Sequence, residues 1–183
     1  MPEDSIRAFV AVEVPLHVLN LSEIGWLDSS YIRRVREDQM HITPAFFGSL
    51  PSSKVDSLIG ALSGFSFAGF AVHVRGISTF SGIPRIIYAD IAEGSGELKA
   101  LSTRLKGAAA TLRIATERRE FVPHITIARV KDPLHSAEIL ARVREYADQE
   151  FGTFECSALK LKRSILKPEG PEYTDLFTIK ALP

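Results

Sequence analysis

The sequence predicts an α+β protein made of two similar halves that face each other, one domain over residues 1–183. Three observations predict it. Strand-like and helix-like segments alternate along the whole chain. The order strand, helix, strand, helix, strand can be read twice. The third element of each copy contains the tripeptide His-Ile-Thr, at His41 and again about eighty residues later at His124. With 183 residues, 45% of them hydrophobic and 24% charged, the chain is long enough to bury a substantial core.

Ile6, Ala8, Val10, Val12 and Val14 alternate with other residues and predict a strand that Pro15 ends. Leu16 to Leu27 is weakly amphipathic and reads as a first helix. The run QMHITPAFFGSL predicts the next strand, bounded by Gly48 and Pro51. Ser52 and Ser53 then stand as caps for a helix, because Val55, Leu58, Ile59 and Leu62 fall on one helical face. Residues 65–80 predict a strand bent near Gly76. Arg85 opens the second block with the strand RIIYADIA. Leu98, Leu101, Leu105 and Leu112 form the stripe of a helix opened by Ser95. EFVPHITIARV is a strand closed by Asp132-Pro133, and Ile139, Val143 and Tyr146 give a third helical face. FECSALKLKRSIL and YTDLFTIKAL predict two final strands.

Composition excludes several functions. Lys+Arg and Asp+Glu both number 22, so the chain lacks the excess charge of a protein that grips long nucleic acid. A local pocket for one phosphate remains open to it. The lone Cys156 excludes an internal disulfide framework and a cysteine zinc cage. No apolar stretch reaches the roughly 18 residues of a membrane span, and acids stand where a signal peptide carries basic residues. A soluble cytoplasmic protein is the expectation, with no membrane partner.

The two His-Ile-Thr sites carry the chemistry. Residues two apart in a strand share a face, so His41 stands beside Thr43 and His124 beside Thr126. Histidine titrates near neutrality, so one imidazole can act as base and the other as acid around a shared phosphate. The threonine hydroxyls can donate hydrogen bonds to its oxygens. This needs no metal, no cofactor and no covalent nucleophile. Two histidines alone are too few for a typical zinc site. No HExxH, GxxxxGK[ST] or GxSxG pattern occurs. His17, His73 and His135 fall outside the pattern and read as surface or capping residues.

Paired His-hydrophobic-Thr-hydrophobic motifs at this separation resemble the two-histidine phosphoesterase superfamily. Within it the chain is similar to the RNA 2′,3′-cyclic phosphodiesterases, also called 2′-5′ RNA ligases. The likeness runs through RAFVAVEVP, MHITPAFFGSL, GISTFSGIPRIIYADI, FVPHITIARV and SILKPEGPEY. It implies a bilobal α+β fold with a cleft between two antiparallel sheets and flanking helices, one motif on each sheet in pseudo-twofold related halves. It implies hydrolysis of a 2′,3′-cyclic phosphate at an RNA 3′ end to a 2′-phosphate. Reversible, ATP-independent 2′-5′ joining is a further implied activity. The resemblance makes His41 the proton donor to the 3′ oxygen and His124 the acceptor from water, with Thr43 and Thr126 on the phosphate. RNA ends, tRNA halves or small cyclic nucleotides are the implied partners, and a monomer is expected. Alternatives are 2′-5′ oligonucleotide substrates, a module that binds RNA ends without turnover, and metal-assisted hydrolysis.

The first motif departs from the family pattern. Pro44 and Ala45 stand where Leu-Lys is usual, and Pro44 predicts an edge strand or a bulge. Arg129 follows the second motif and is a candidate contact for phosphate or ribose. Strict alternation would point it away from His124, so it reaches the site only if the strand bends. Phe9 and Tyr173 are candidates to stack on a terminal base, against core packing for Phe9. Lys160, Lys162, Arg163 and Lys167 form a basic strip that either steers RNA or protects a sheet edge.

Overall fold

The computed structural model describes residues 5–80, 82–168 and 170–183. Its strands are β1 (Ser5–Glu13), β2 (Ile32–Arg34), β3 (His41–Pro51), β4 (Phe70–Thr79), β5 (Ile86–Glu93), β6 (His124–Val130), β7 (Glu150–Cys156), β8 (Ala158–Lys167) and β9 (Gly170–Lys180). Its α-helices are α1 (Val55–Ser63), α2 (Ser95–Thr111) and α3 (Ser136–Glu145). The strands form two antiparallel sheets, ordered β3-β1-β8-β9 and β2-β6-β5-β4-β7. The fold class is the expected α+β arrangement, with one His-Ile-Thr strand in each sheet.

The first sheet is built around β1, whose Ala8 to Val12 are buried on both faces. Helix α2 packs on both β3 and β5, so Leu98, Leu101 and Leu105 fill space between the sheets. Helix α1 packs on β9 and α2, and α3 on β4. The buried side chains of both sheets belong to one continuous apolar cluster. Gly76 makes the bend in β4: its φ is 87°, and a Cβ there would press on the Ala147 carbonyl oxygen.

Several sequence expectations need correction. Residues 16–27 form turns and part of a 3-10 helix at Gly25–Asp28, not a first α-helix, so the first half lacks one helix of the expected repeat. Leu19, Leu21, Ile24 and Leu27 are buried nonetheless, because the apolar residues serve a packed loop rather than a helical face. Lys54 stands at the N-cap position of the helix at 55, and Ser52 and Ser53 lie before it in a 3-10 turn. The segment FECSALKLKRSIL is two strands. Cys156 ends β7 in one sheet and Ala158 begins β8 in the other, so the chain crosses between sheets at Ser157.

Of the two readings of the basic strip, protection of a sheet edge is the one the topology overturns. Strand β8 lies between β1 and β9, so its lysines protect no edge. Lys160 and Lys162 each bind both Glu13 and Asp175, at 2.6–2.8 Å, which spends their charge inside the protein.

Candidate active site

A pocket of about 180 Å³ opens where β3 and β6 pack across the seam between the sheets. His41, Thr43, His124, Thr126, Arg129 and Tyr173 all line it. Strand alternation delivers the first four, since Ile42 and Ile125 between them are fully buried.

Both imidazoles are held in the same way. His41 Nδ1–H donates to the Gln39 carbonyl at 2.6 Å, and His124 Nδ1–H donates to the Val122 carbonyl at 2.7 Å. A carbonyl only accepts, so each Nδ1 carries a proton and each Nε2 is the nitrogen at which the ring can take up or release one. The Gln39 side chain adds a tie, donating to the Pro171 carbonyl at 2.7 Å and so fixing the start of β9 at the pocket.

Each ring is packed between two aromatic residues. Phe9 stacks on His41 at 5.0 Å and Tyr173 meets it edge-on at 5.3 Å. Phe80 and Tyr88 each meet His124 at 5.1 Å. Phe9 is 3% exposed, so its face is spent on His41 and offers no platform to a base. That is the packing role weighed for it from the sequence. Tyr173 stays half-buried on the pocket wall.

Bulges explain how Arg129 arrives. Between β5 and β6 the register runs from Tyr88↔Thr126 to Ile87↔Ala128, which leaves Ile127 as an extra residue. Ile127 and Ala128 therefore both turn inward, and Arg129 returns to the face of His124 and Thr126. The β1–β3 pairing slips at the same offset, around Thr43 and Pro44, with Pro44 on the sheet-edge strand. The buried Ser102 hydroxyl donates to the Pro44 carbonyl at 2.6 Å, tying α2 to this bulge.

An acid faces each histidine across the ladder: Glu13 pairs with His41 and Asp90 with His124. Sequence reasoning missed both acids, because only the register brings them opposite. Glu13 is neutralised by Lys160 and Lys162, whereas Asp90 makes no ion pair among the described residues. Burial is the largest influence on both imidazoles and lowers both pKa values; each ring's bond to a backbone carbonyl opposes it. The surrounding charges then differ. Lys162 and His124 push His41 further down against Glu13, while Asp90 and Glu117 push His124 up. Burial also raises the Asp90 carboxyl, opposed by Ser78 and His124.

These depressed values make stability depend on pH. Folded histidines that titrate below the ordinary value of about 6.5 bind fewer protons than the unfolded chain in the window just beneath it. Stability contributed by the neutral rings is present above about pH 6.5 and is lost as pH falls toward the folded values. A melting series from pH 8 to 5 is expected to show Tm falling on acidification. A His41→Gln/His124→Gln protein is expected to show a shallower fall.

Known proteins resemble this chain in sequence and in fold. Residues 13–164 match the family model described as the 2′-5′ RNA ligase superfamily. The chain belongs to the 2′-5′ RNA ligase superfamily. Two superfamily relatives are each named RNA 2′,3′-cyclic phosphodiesterase. One, from Archaeoglobus fulgidus, is 31% identical over 93% of this chain and 98% of its own length. The other, from Aeropyrum pernix, is 30% identical over 82% of this chain and 86% of its own. Among solved structures, one from Thermus thermophilus aligns with a TM-score of 0.77 at 28% identity, covering 96% of this chain and 97% of that one. Escherichia coli LigT complexed with 3′-AMP shares the superfamily fold, with a TM-score of 0.79 at 20% identity over 98% of this chain and all of that chain (100%).

No described helix is long and apolar enough to cross a membrane. His73, His135 and His17 lie away from the pocket. His73 pairs with Glu150 at 2.7 Å, and His135 stacks on Tyr31 and pairs with Glu138. His17 is exposed in a turn.

Proposed function

We propose that this chain acts as one bilobal unit and hydrolyses RNA 2′,3′-cyclic phosphate ends to 2′-phosphates. One observation carries the proposal: two His-Ile-Thr strands from different sheets face one pocket, with both imidazoles oriented through Nδ1 so that Nε2 is free. Relatives at about 30% identity that carry the cyclic phosphodiesterase name support the same reading.

The cyclic phosphate lies between the two imidazoles. His124 Nε2 takes a proton from water as the water oxygen bonds to phosphorus. The P–O3′ bond breaks, and His41 Nε2–H delivers its proton to the departing 3′ oxygen. Thr43 and Thr126 donate to the non-bridging oxygens as they gain charge. Arg129 and Tyr173 contact the ribose or phosphate from the pocket wall. The reaction draws on no metal and no cofactor; with a 5′-hydroxyl in place of water the same forward step gives a 2′-5′ linkage, and its reverse cleaves one back to the cyclic phosphate.

The charges around the rings favour a second reading of the roles. Lys162 disfavours a proton on His41, and Asp90 favours one on His124. In that reading His124 is the donor and His41 the acceptor, with the substrate bound in the opposite sense.

Incubation with a short oligoribonucleotide ending in a 2′,3′-cyclic phosphate, in EDTA, tests the function. Phosphorus NMR is expected to show a 2′-phosphomonoester. Binding without product would leave an RNA-end-binding module, and loss of activity on chelation would require a metal.

A further inference from the structure

Four arginines line the pocket: Arg33, Arg34, Arg36 and Arg129. Two are satisfied within the protein. Arg34 binds Asp28 at 3.0 Å and the Leu21 carbonyl at 2.8 Å, and Arg36 binds Asp38 at 2.7 Å. Arg33 and Arg129 are different. Among the described residues neither makes a side-chain hydrogen bond or ion pair, and β2 sets them directly opposite each other in register on β6. Like charges directly opposed across a ladder destabilise a sheet. An unshared guanidinium pair facing into a pocket is suited to an anion, and its forked donors match phosphate.

This anion differs from the one between the imidazoles. Arg129 lies three residues beyond Thr126, but with Ile127 bulged the advance matches the two residues from Tyr88 to Ile86 on β5, roughly 7 Å along the strand at about 3.3 Å per residue. We infer that Arg33 and Arg129 form a second phosphate subsite, which takes the phosphate on the 5′ oxygen of the terminal nucleoside. The inference rests on the proposed cyclic phosphodiesterase activity and names what that site requires upstream of the reacting group. Strand β2 is only three residues long, and supplying Arg33 opposite Arg129 gives it a role in substrate choice.

The test compares adenosine 2′,3′-cyclic phosphate with the same compound carrying a 5′-phosphate, and with the dinucleotide ApA ending in a 2′,3′-cyclic phosphate. The wild-type protein is expected to prefer a compound with the second phosphate by about tenfold or more in kcat/KM. Arg33→Gln is expected to bring that ratio to about 1–3, with Arg33→Lys between. Preference for both phosphorylated compounds supports a strand phosphodiester in the subsite. Preference for the 5′-monoester alone supports a mononucleotide there. Equal rates on all three overturn the subsite and leave the function standing. An equal loss on all three in Arg33→Gln overturns it too, since Arg33 would then hold the reacting phosphate. Turnover of none by the wild-type protein overturns the function and the subsite together.

Discussion

Replacing His41 or His124 by alanine is expected to lower kcat by about 10²–10⁴-fold, the usual worth of a positioned acid or base. The residual pH profile distinguishes the roles. A base works only when neutral, so its pKa sets the acidic limb; an acid works only when protonated, so its pKa sets the alkaline limb. If His41 is the donor, His41→Ala loses the alkaline limb and His124→Ala the acidic one. If the surrounding charges decide the roles, the limbs exchange. Because Lys162 lowers His41 and Asp90 raises His124, a His41 donor would work from the less populated protonation state. Wild-type rates in either variant would end the two-histidine mechanism.

Lys162→Met is expected to act on stability and on the pH profile together. Lys162 is 8% exposed and sits between Glu13 and Asp175 at 2.6 Å from each. Its removal leaves both carboxylates with Lys160 alone, so a loss of about 2 kcal/mol is expected, less than for a buried charge left with no partner. Chemical denaturation measures it. The same change removes a cation that lowers the His41 pKa, while Glu13 regains influence over the ring. The limb that belongs to His41 should therefore move to higher pH, and the His124 limb should stay. An NMR titration of the two imidazoles follows both. An unmoved His41 would mean that burial alone sets its pKa.

The catalytic candidates were legible because their signal is local. His-Xaa-Thr in a strand presents both side chains on one face whatever the rest of the fold does. The bend at Gly76 and the bulge at Pro44 were legible for the same reason, since glycine widens and proline restricts the conformations of its own backbone. The helix expected from residues 16–27 failed because periodicity reports that apolar residues are buried, not that a helix buries them. FECSALKLKRSIL failed because alternation continues through Ser157 while the chain changes sheets.

By itself, the sequence determined the α+β class, most of the element order and the two His-Ile-Thr pairs, all of which follow from short-range periodicity and backbone chemistry. Only the tertiary structure decided that Arg129 turns into the pocket, that Arg33 opposes it and that the lysines of β8 are spent on Glu13 and Asp175. It alone set Glu13 and Asp90 across from the two histidines. Each of these depends on strand register, and one extra residue in a strand reverses which way every later side chain points.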